Sequence, residues 1–201
     1  IWEFFAIENK TMKEFKVAEV PYVEDQWHGE VKYFYPSGEF SGFSTYKEDQ
    51  KDGPTKLFYK NDSLAMECEL IKGDLEGDAF LYYPNGALKE SMSYISNGLF
   101  GEHLGFYDDG SKEFVANYKR GWMNGKTESW YQNGGPKEIA TYDMGALTGT
   151  YKYYYENGQL WTERKYIFGS LYNIVALFDE EGNVMDYGTL DNGSGWVYYY
   201  T

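Results

Sequence analysis

Apolar and polar residues alternate along most of this chain, and the alternation breaks at regular intervals. The clearest stretch runs Gly149-Thr-Tyr-Lys-Tyr-Tyr-Tyr-Glu-Asn-Gly158-Gln-Leu-Trp-Thr-Glu-Arg-Lys-Tyr-Ile-Phe-Gly169. Two-residue periodicity on either side of Asn157-Gly158 predicts two strands joined by a tight turn. The same unit recurs. Gly29, Gly53, Gly77, Gly101, Gly125 and Gly149 are 24 residues apart, and Asn173 takes the next place. Counting from each opening residue, aromatic pairs stand at +5 and +6: Phe34-Tyr35, Phe58-Tyr59, Tyr82-Tyr83, Phe106-Tyr107, Trp130-Tyr131 and Tyr154-Tyr155, with Phe178-Asp179 last. Tyr46, Leu70, Tyr94, Tyr118, Tyr142, Tyr166 and Leu190 stand at +17, and a glycine, Asn or Asp at +20. A period held without insertion over seven copies predicts a repeat array.

Asn85-Gly86, Asn133-Gly134, Asn157-Gly158 and Asp109-Gly110 predict two-residue type I′ hairpin turns. That register sets +6 against +11 (Phe40, Leu64, Leu88, Leu160) and the opening glycine against +17, as Gly149 against Tyr166 and Gly101 against Tyr118. A ring facing a bare strand glycine covers the space its missing side chain leaves. Alternation then sorts the faces. Val31, Tyr33, Tyr35, Leu57, Tyr59, Leu81, Tyr83, Tyr151, Tyr153 and Tyr155 share the core side with Cys68, Met92, Ala116 and Ala140. Lys32, Lys56, Lys89, Glu128, Lys137, Lys152 and Glu163 share the other side with the +5 aromatics.

A second connection, near Lys72-Gly73, Arg120-Gly121 and Asn192-Gly193, joins each hairpin to the next. The expected fold is all-β: an elongated antiparallel meander of tandem β-hairpin repeats with a 24-residue period. Two strands per copy at about 4.8 Å spacing would carry the sheet roughly 65 Å. Residues 1–28 read as a degenerate first repeat or N-terminal cap, with Glu8-Asn9-Lys10 as its turn; 29–195 hold the seven repeats, and 196–201 a closing strand.

Charge narrows the partners. Against 18 Lys and Arg stand 32 Asp and Glu, a net charge of −14. Polyphosphates and anionic headgroups are bound chiefly by basic residues, so nucleic acid is not expected and membrane binding through headgroup charge is disfavoured. Cys68 is the single cysteine and falls at an apolar position; His28 and His103 have no partners at metal-ligand spacing. No phosphate loop, dinucleotide fingerprint or nucleophile elbow occurs, and no cofactor is expected. Acidic turns such as Asp108-Asp109-Gly110 lack calcium-loop spacing, and the scattered carboxylates single out no catalytic pair.

With these positions assigned, the chain resembles the MORN-repeat proteins, above all their bacterial variant class, labelled antitoxin-like in some members. Tyr82-Tyr83-Pro84-Asn85-Gly86-Ala87-Leu88-Lys89-Glu90 and Tyr154-Tyr155-Glu156-Asn157-Gly158-Gln159-Leu160 carry the likeness, which extends over residues 29–195. The copies at Asp62 and Pro136 depart from it. The resemblance implies elongated hairpin arrays serving protein contacts, dimerisation or membrane association. The export signals common in such arrays imply a place in the periplasm or at the cell surface, with a lipid anchor upstream.

The expected function is a non-catalytic protein-protein interaction or scaffold module, with self-association left open. The candidate partner-binding residues are Phe34, Phe58, Tyr82, Phe106, Trp130, Tyr154 and Phe178. Two readings stand side by side: the rings stack to stiffen the sheet, or they form platforms for a partner. The alternatives are a carbohydrate- or cell-wall-binding module using the same row, and an antitoxin-like inhibitor of a partner protein.

Overall fold

The computed structural model describes residues 1–8 and 13–198. Among them the regular structure is all strand, in two compact units, Ile1–Gly98 and Leu99–Thr201. The first holds β1 (Trp2–Glu8), β2 (Lys13–Val20), β3 (Tyr22–Val23), β4 (Gln26–Trp27), β5 (Gly29–Phe34), β6 (Phe40–Lys47), β7 (Gln50–Phe58), β8 (Leu64–Ile71), β9 (Asp74–Tyr82) and β10 (Leu88–Ile95). Apart from the small β3–β4 hairpin they form one antiparallel meander, with β2 pairing both β1 and β5. β11 (Gly98–Leu99) lies at the division. The second unit holds β12 (Gly101–Phe106), β13 (Lys112–Lys119), β14 (Trp122–Met123), β15 (Gly125–Trp130), β16 (Pro136–Asp143), β17 (Ala146–Leu147), β18 (Gly149–Tyr154), β19 (Leu160–Ile167) and β20 (Ser170–Leu177). It too is an antiparallel meander, in which the short β14 and β17 pair the ends of β13 and β16.

In residues 1–28 the β1–β2 hairpin and the β3–β4 hairpin lead into the first regular copy; Asn9 and Lys10, read as the turn, lie outside the described residues. Of the stretch read as a closing strand, Val197 makes an isolated bridge with Gly188, and Tyr199, Tyr200 and Thr201 lie outside the described residues.

Each opening glycine faces its +17 residue as the pattern predicts: Gly29 against Tyr46, Gly101 against Tyr118, Gly149 against Tyr166. The pairing then departs from expectation near the turn. Tyr33 faces Gly42, but the next pair is Phe34 with Phe40, so a bulge absorbs Ser41. Every regular hairpin repeats this shift. The +11 residues therefore face +5, not the +6 tyrosines.

The predicted type I′ turn is also wrong at this connection. Tyr155 N–H donates to the Gln159 carbonyl at 2.9 Å, and Gly158 N–H to the Tyr155 carbonyl at 2.9 Å. Gly158 has a φ of 89°, while Asn157 is not among the residues of positive φ. This is the three-residue loop closed by one left-handed residue, which produces a bulge beside it. Asp62, with a φ of 63°, fills the same place in the copy that lacks the glycine. Asparagine serves otherwise here: Asn157 Oδ1 accepts from Gln159 N–H at 2.8 Å, and Asn133 Oδ1 from Gly135 N–H at 2.8 Å.

Type I′ geometry instead occupies the second connection. Positive φ falls on two successive residues at Lys72-Gly73 (51°, 89°), Arg120-Gly121 (54°, 80°), Met144-Gly145 (47°, 84°) and Phe168-Gly169 (45°, 80°). A left-handed L-residue costs roughly 1–2 kcal/mol, and hydrogen bonds to the preceding copy offset it. Gly73 N–H donates to the Lys51 carbonyl at 2.7 Å, Gly145 to Met123 at 2.8 Å and Gly169 to Leu147 at 2.8 Å.

The buried side chains are small and sit mainly at +2 and +15: Val31, Thr55 and Ala79, with Ser44, Met92, Ala116 and Ala140. Ser44 and Thr55 share a hydrogen bond of 3.0 Å, which satisfies hydroxyls that burial would otherwise penalise. One face assignment fails. Lys89 and Lys137, placed by alternation among the charges, lie 5.7 Å and 5.6 Å over the rings of Tyr83 and Tyr131. Trp161, at the same +12 position, packs against Tyr153 and Tyr155 with centroids 5.5 Å and 6.1 Å away. The bulge turns this position toward the tyrosine side.

The turn chemistry predicts opposite outcomes at equivalent sites. No atom lies within 4 Å of a Cβ added to Gly158, so Gly158→Ala meets backbone strain alone and should destabilise by about 1–2 kcal/mol. Asp62→Gly should stabilise by up to about 1 kcal/mol. Urea unfolding midpoints moving in opposite directions would bear this out; two losses of equal size would not.

Candidate interaction face

In the first unit the aromatics on the charged side touch through a bridging ring. Phe34 and Phe40 have centroids 6.2 Å apart, and Phe40 and Phe58 5.6 Å. The bulge makes this contact by bringing +11 to the +5 side. With Glu19, Glu30, Lys32 and Phe43 these rings line a concavity of about 530 Å³. Lys16 places its ammonium 4.3 Å over Phe34. Further along, Tyr82 donates its hydroxyl proton to Glu67 at 2.7 Å, and Glu67 pairs with Lys56 at 2.8 Å. Hydrogen bonds from Lys56 and Tyr82 hold the Glu67 carboxyl below its ordinary range. Burial, aided by Glu67, pushes the Tyr82 phenol up to about 12.

In the second unit Phe106, Trp130, Tyr154 and Phe178 are half-buried. Register sets Lys112 against Phe106, Pro136 against Trp130 and Leu160 against Tyr154, so smaller or aliphatic residues separate successive rings. The +3 and +14 positions make a parallel row in which Val115 faces Glu128, Glu128 faces Ile139, and Lys152 faces Glu163 with an ion pair of 3.1 Å.

The neighbouring copy fixes the backbone beneath these rings. Tyr107 donates its hydroxyl proton to the Trp130 carbonyl at 2.7 Å, Tyr131 to Tyr154 at 2.7 Å and Tyr155 to Phe178 at 3.2 Å. In the first unit Tyr35 does the same to Phe58 at 2.6 Å and Tyr59 to Tyr82 at 2.7 Å. Each of these five tyrosines is thus the anchor for the following +5 residue. A second row runs along the turns: Asn61 Nδ2 reaches the Pro84 carbonyl at 2.8 Å, Asn133 that of Glu156 at 2.9 Å and Asn157 that of Glu180 at 3.0 Å. The in-phase aromatic pair and turn asparagine signalled these contacts, although pattern alone did not say which atoms they join.

The two rims of the second unit differ. Its three-residue turns expose Asp108, Asp109, Glu156, Glu180 and Glu181 and no basic residue at +7 or +8. Ser111 hydrogen bonds keep Asp109 below the ordinary carboxyl range. The type I′ rim exposes Trp122, Met144 and Phe168, the last at 77%. The alternation did not single out these turn-tip hydrophobes.

Reactive groups elsewhere are dispersed. Among the described residues no three His, Cys, Asp or Glu side chains converge as metal ligands. Cys68 is a free thiol that burial pushes up, disfavouring the thiolate. Burial likewise raises the Glu138 carboxyl. Among the described residues no helix is long and apolar enough to cross a membrane.

Four segments match the family described as MORN repeat variant: residues 27–39, 75–96, 123–144 and 147–167. Their starts are separated by multiples of the 24-residue period. No curated protein matches the chain.

The Glu67 cluster generates a pH prediction. A carboxyl depressed in the folded state contributes stability above its unfolded value, and that contribution is lost as pH falls through the folded one. Thermal melts should therefore show stability declining from the ordinary carboxylate range downward, and Glu67→Gln should flatten part of that decline. An identical acid limb in wild type and variant would remove Glu67 from the account.

Proposed function

Because this chain carries MORN repeats of the variant class, a non-enzymatic family of interaction modules, we propose that it is a non-catalytic protein-binding module. Its contact surface is the charged face bearing Phe34, Phe58 and Tyr82 in the first unit and Phe106, Trp130, Tyr154 and Phe178 in the second. One observation carries the reading. Trp130, Tyr154 and Phe178 make no ring pair among the described residues, yet the backbone beneath each is fastened by the preceding tyrosine. Rings that mainly stiffened the sheet would be expected to touch, as Phe34, Phe40 and Phe58 do. Half-buried rings on a fixed backbone present apolar area at small entropic cost, the property of binding anchors.

The replacement of Phe106 and Trp130 together by Ala tests this. Capture of specific partners from the native source should be abolished while the unfolding midpoint stays close to wild type. Unchanged capture by a folded double variant would exclude the face as the contact surface.

A further inference from the structure

We infer that the charged face of the second unit takes a proline-rich, basic segment in the polyproline II conformation, laid across the strands along the row from Phe106 to Phe178. The inference rests on the preceding reading of this face and names the class of its occupant.

Spacing is the first ground. Adjacent strands lie about 4.8 Å apart, so the rings, two strands apart, recur every roughly 9.6 Å. A bound segment can repeat one contact at each ring only if its own face recurs at that distance. Polyproline II has three residues per turn and a rise of 3.1 Å, so it presents the same face every ~9.3 Å. An extended strand returns to one face after about 6.7 Å and an α-helix turns every 5.4 Å or so, neither commensurate with the rings.

Side-chain size is the second. Trp130 and Tyr154 carry large rings, and Pro136 and Leu160, paired against them, carry smaller side chains. Pyrrolidine rings seat between aromatic side chains, and a segment already in polyproline II loses little conformational freedom on docking.

Charge is the third, and it selects this unit and the sign of the partner. Asp108, Asp109, Glu156, Glu180 and Glu181 stand at the turn positions two and three residues beyond Phe106, Tyr154 and Phe178, while the turn beyond Trp130 carries the neutral Gln132-Asn133. The Asn157 amide fixes the Glu180 backbone from the neighbouring copy. The corresponding turns of the first unit carry Pro36-Ser37, Lys60-Asn61 and Pro84-Asn85 and lack this charge. Arg or Lys at every third position of the segment would reach the acidic rim while its prolines cover the rings, giving ion pairs and cation–π contacts together.

The test is fluorescence anisotropy of the full chain with three labelled peptides: four Arg-Pro-Pro triplets, four Arg-Gly-Gly triplets and four Glu-Pro-Pro triplets. The first should bind saturably, at least about tenfold more tightly than the second, because the glycine peptide has the same charge without the preformed helix. The third should not bind. Trp130→Ala should lose most of the affinity and Trp130→Phe retain most of it, which separates loss of the ring from damage to the fold. Glu156→Gln with Glu180→Gln should weaken binding and flatten its salt dependence. Equal binding of the Arg-Pro-Pro and Arg-Gly-Gly peptides, or full affinity in a folded Trp130→Ala chain, overturns the inference. Failure of the peptides while the Phe106/Trp130 double variant still loses its partners rejects polyproline II and leaves the broader interaction face standing.

Discussion

The phenolic hydroxyl at +6 is the contact on which the architecture depends. It closes a hydrogen bond to the main chain of the next copy at Tyr35, Tyr59, Tyr107, Tyr131 and Tyr155, at distances from 2.6 to 3.2 Å. A phenol can do this because its ring spans from its own strand to the neighbouring copy while its apolar body packs. An apolar residue of the same bulk would cover the same area and leave the carbonyl dependent on water. The bond thus couples two tasks: it fastens copy to copy, and it fixes the main chain that bears the next outward ring.

Around this contact the buried interior is sparse. Ala79, Ala116 and Ala140, with Ser44, Thr55 and Thr162, occupy positions where a deep core would hold Leu or Phe. Small side chains let half-buried tyrosines close over them, so the apolar area is spread across many partial burials. In such an array stability is a sum over copies and the interfaces between neighbours. The paired left-handed turns contribute by stitching each second connection to the preceding copy through an N–H bond.

Most of the fold was legible in the sequence because its period is strict and strands alternate. Gly149 opposite Tyr166 followed directly from counting offsets. The turns were misassigned because Asn-Gly suits more than one loop. The dipeptide alone does not show whether Asn157 takes positive φ or spends its amide on Glu180 and Gln159. That error shifted the pairs between turn and bulge by one position, placing Phe40 opposite Tyr35 and Lys89 among the outer charges, and the bulge restored the predicted register beyond it. Asp62 did not resolve the choice either, since Asp takes a left-handed place both there and in the paired turns Glu24-Asp25 and Glu48-Asp49. The outward row was legible as residue types in phase. The separation of Trp130 from Tyr154, against the contact of Phe34 with Phe40 and Phe58, depends on which side chains the bulge brings between them. Composition does not record that.

The tyrosine bond also has a direction. The donor always sits in the earlier copy and the acceptor in the later one, so no copy is equivalent to its mirror along the chain. Asp179 stands where the next tyrosine would be, and its carboxylate turns inward on Asn183 instead. At this place the copy thus carries an acceptor spent within its own turn, where the other copies carry a donor to their neighbour. Copy number in such a molecule can be changed by duplicating whole units, and the reading direction is preserved at every junction.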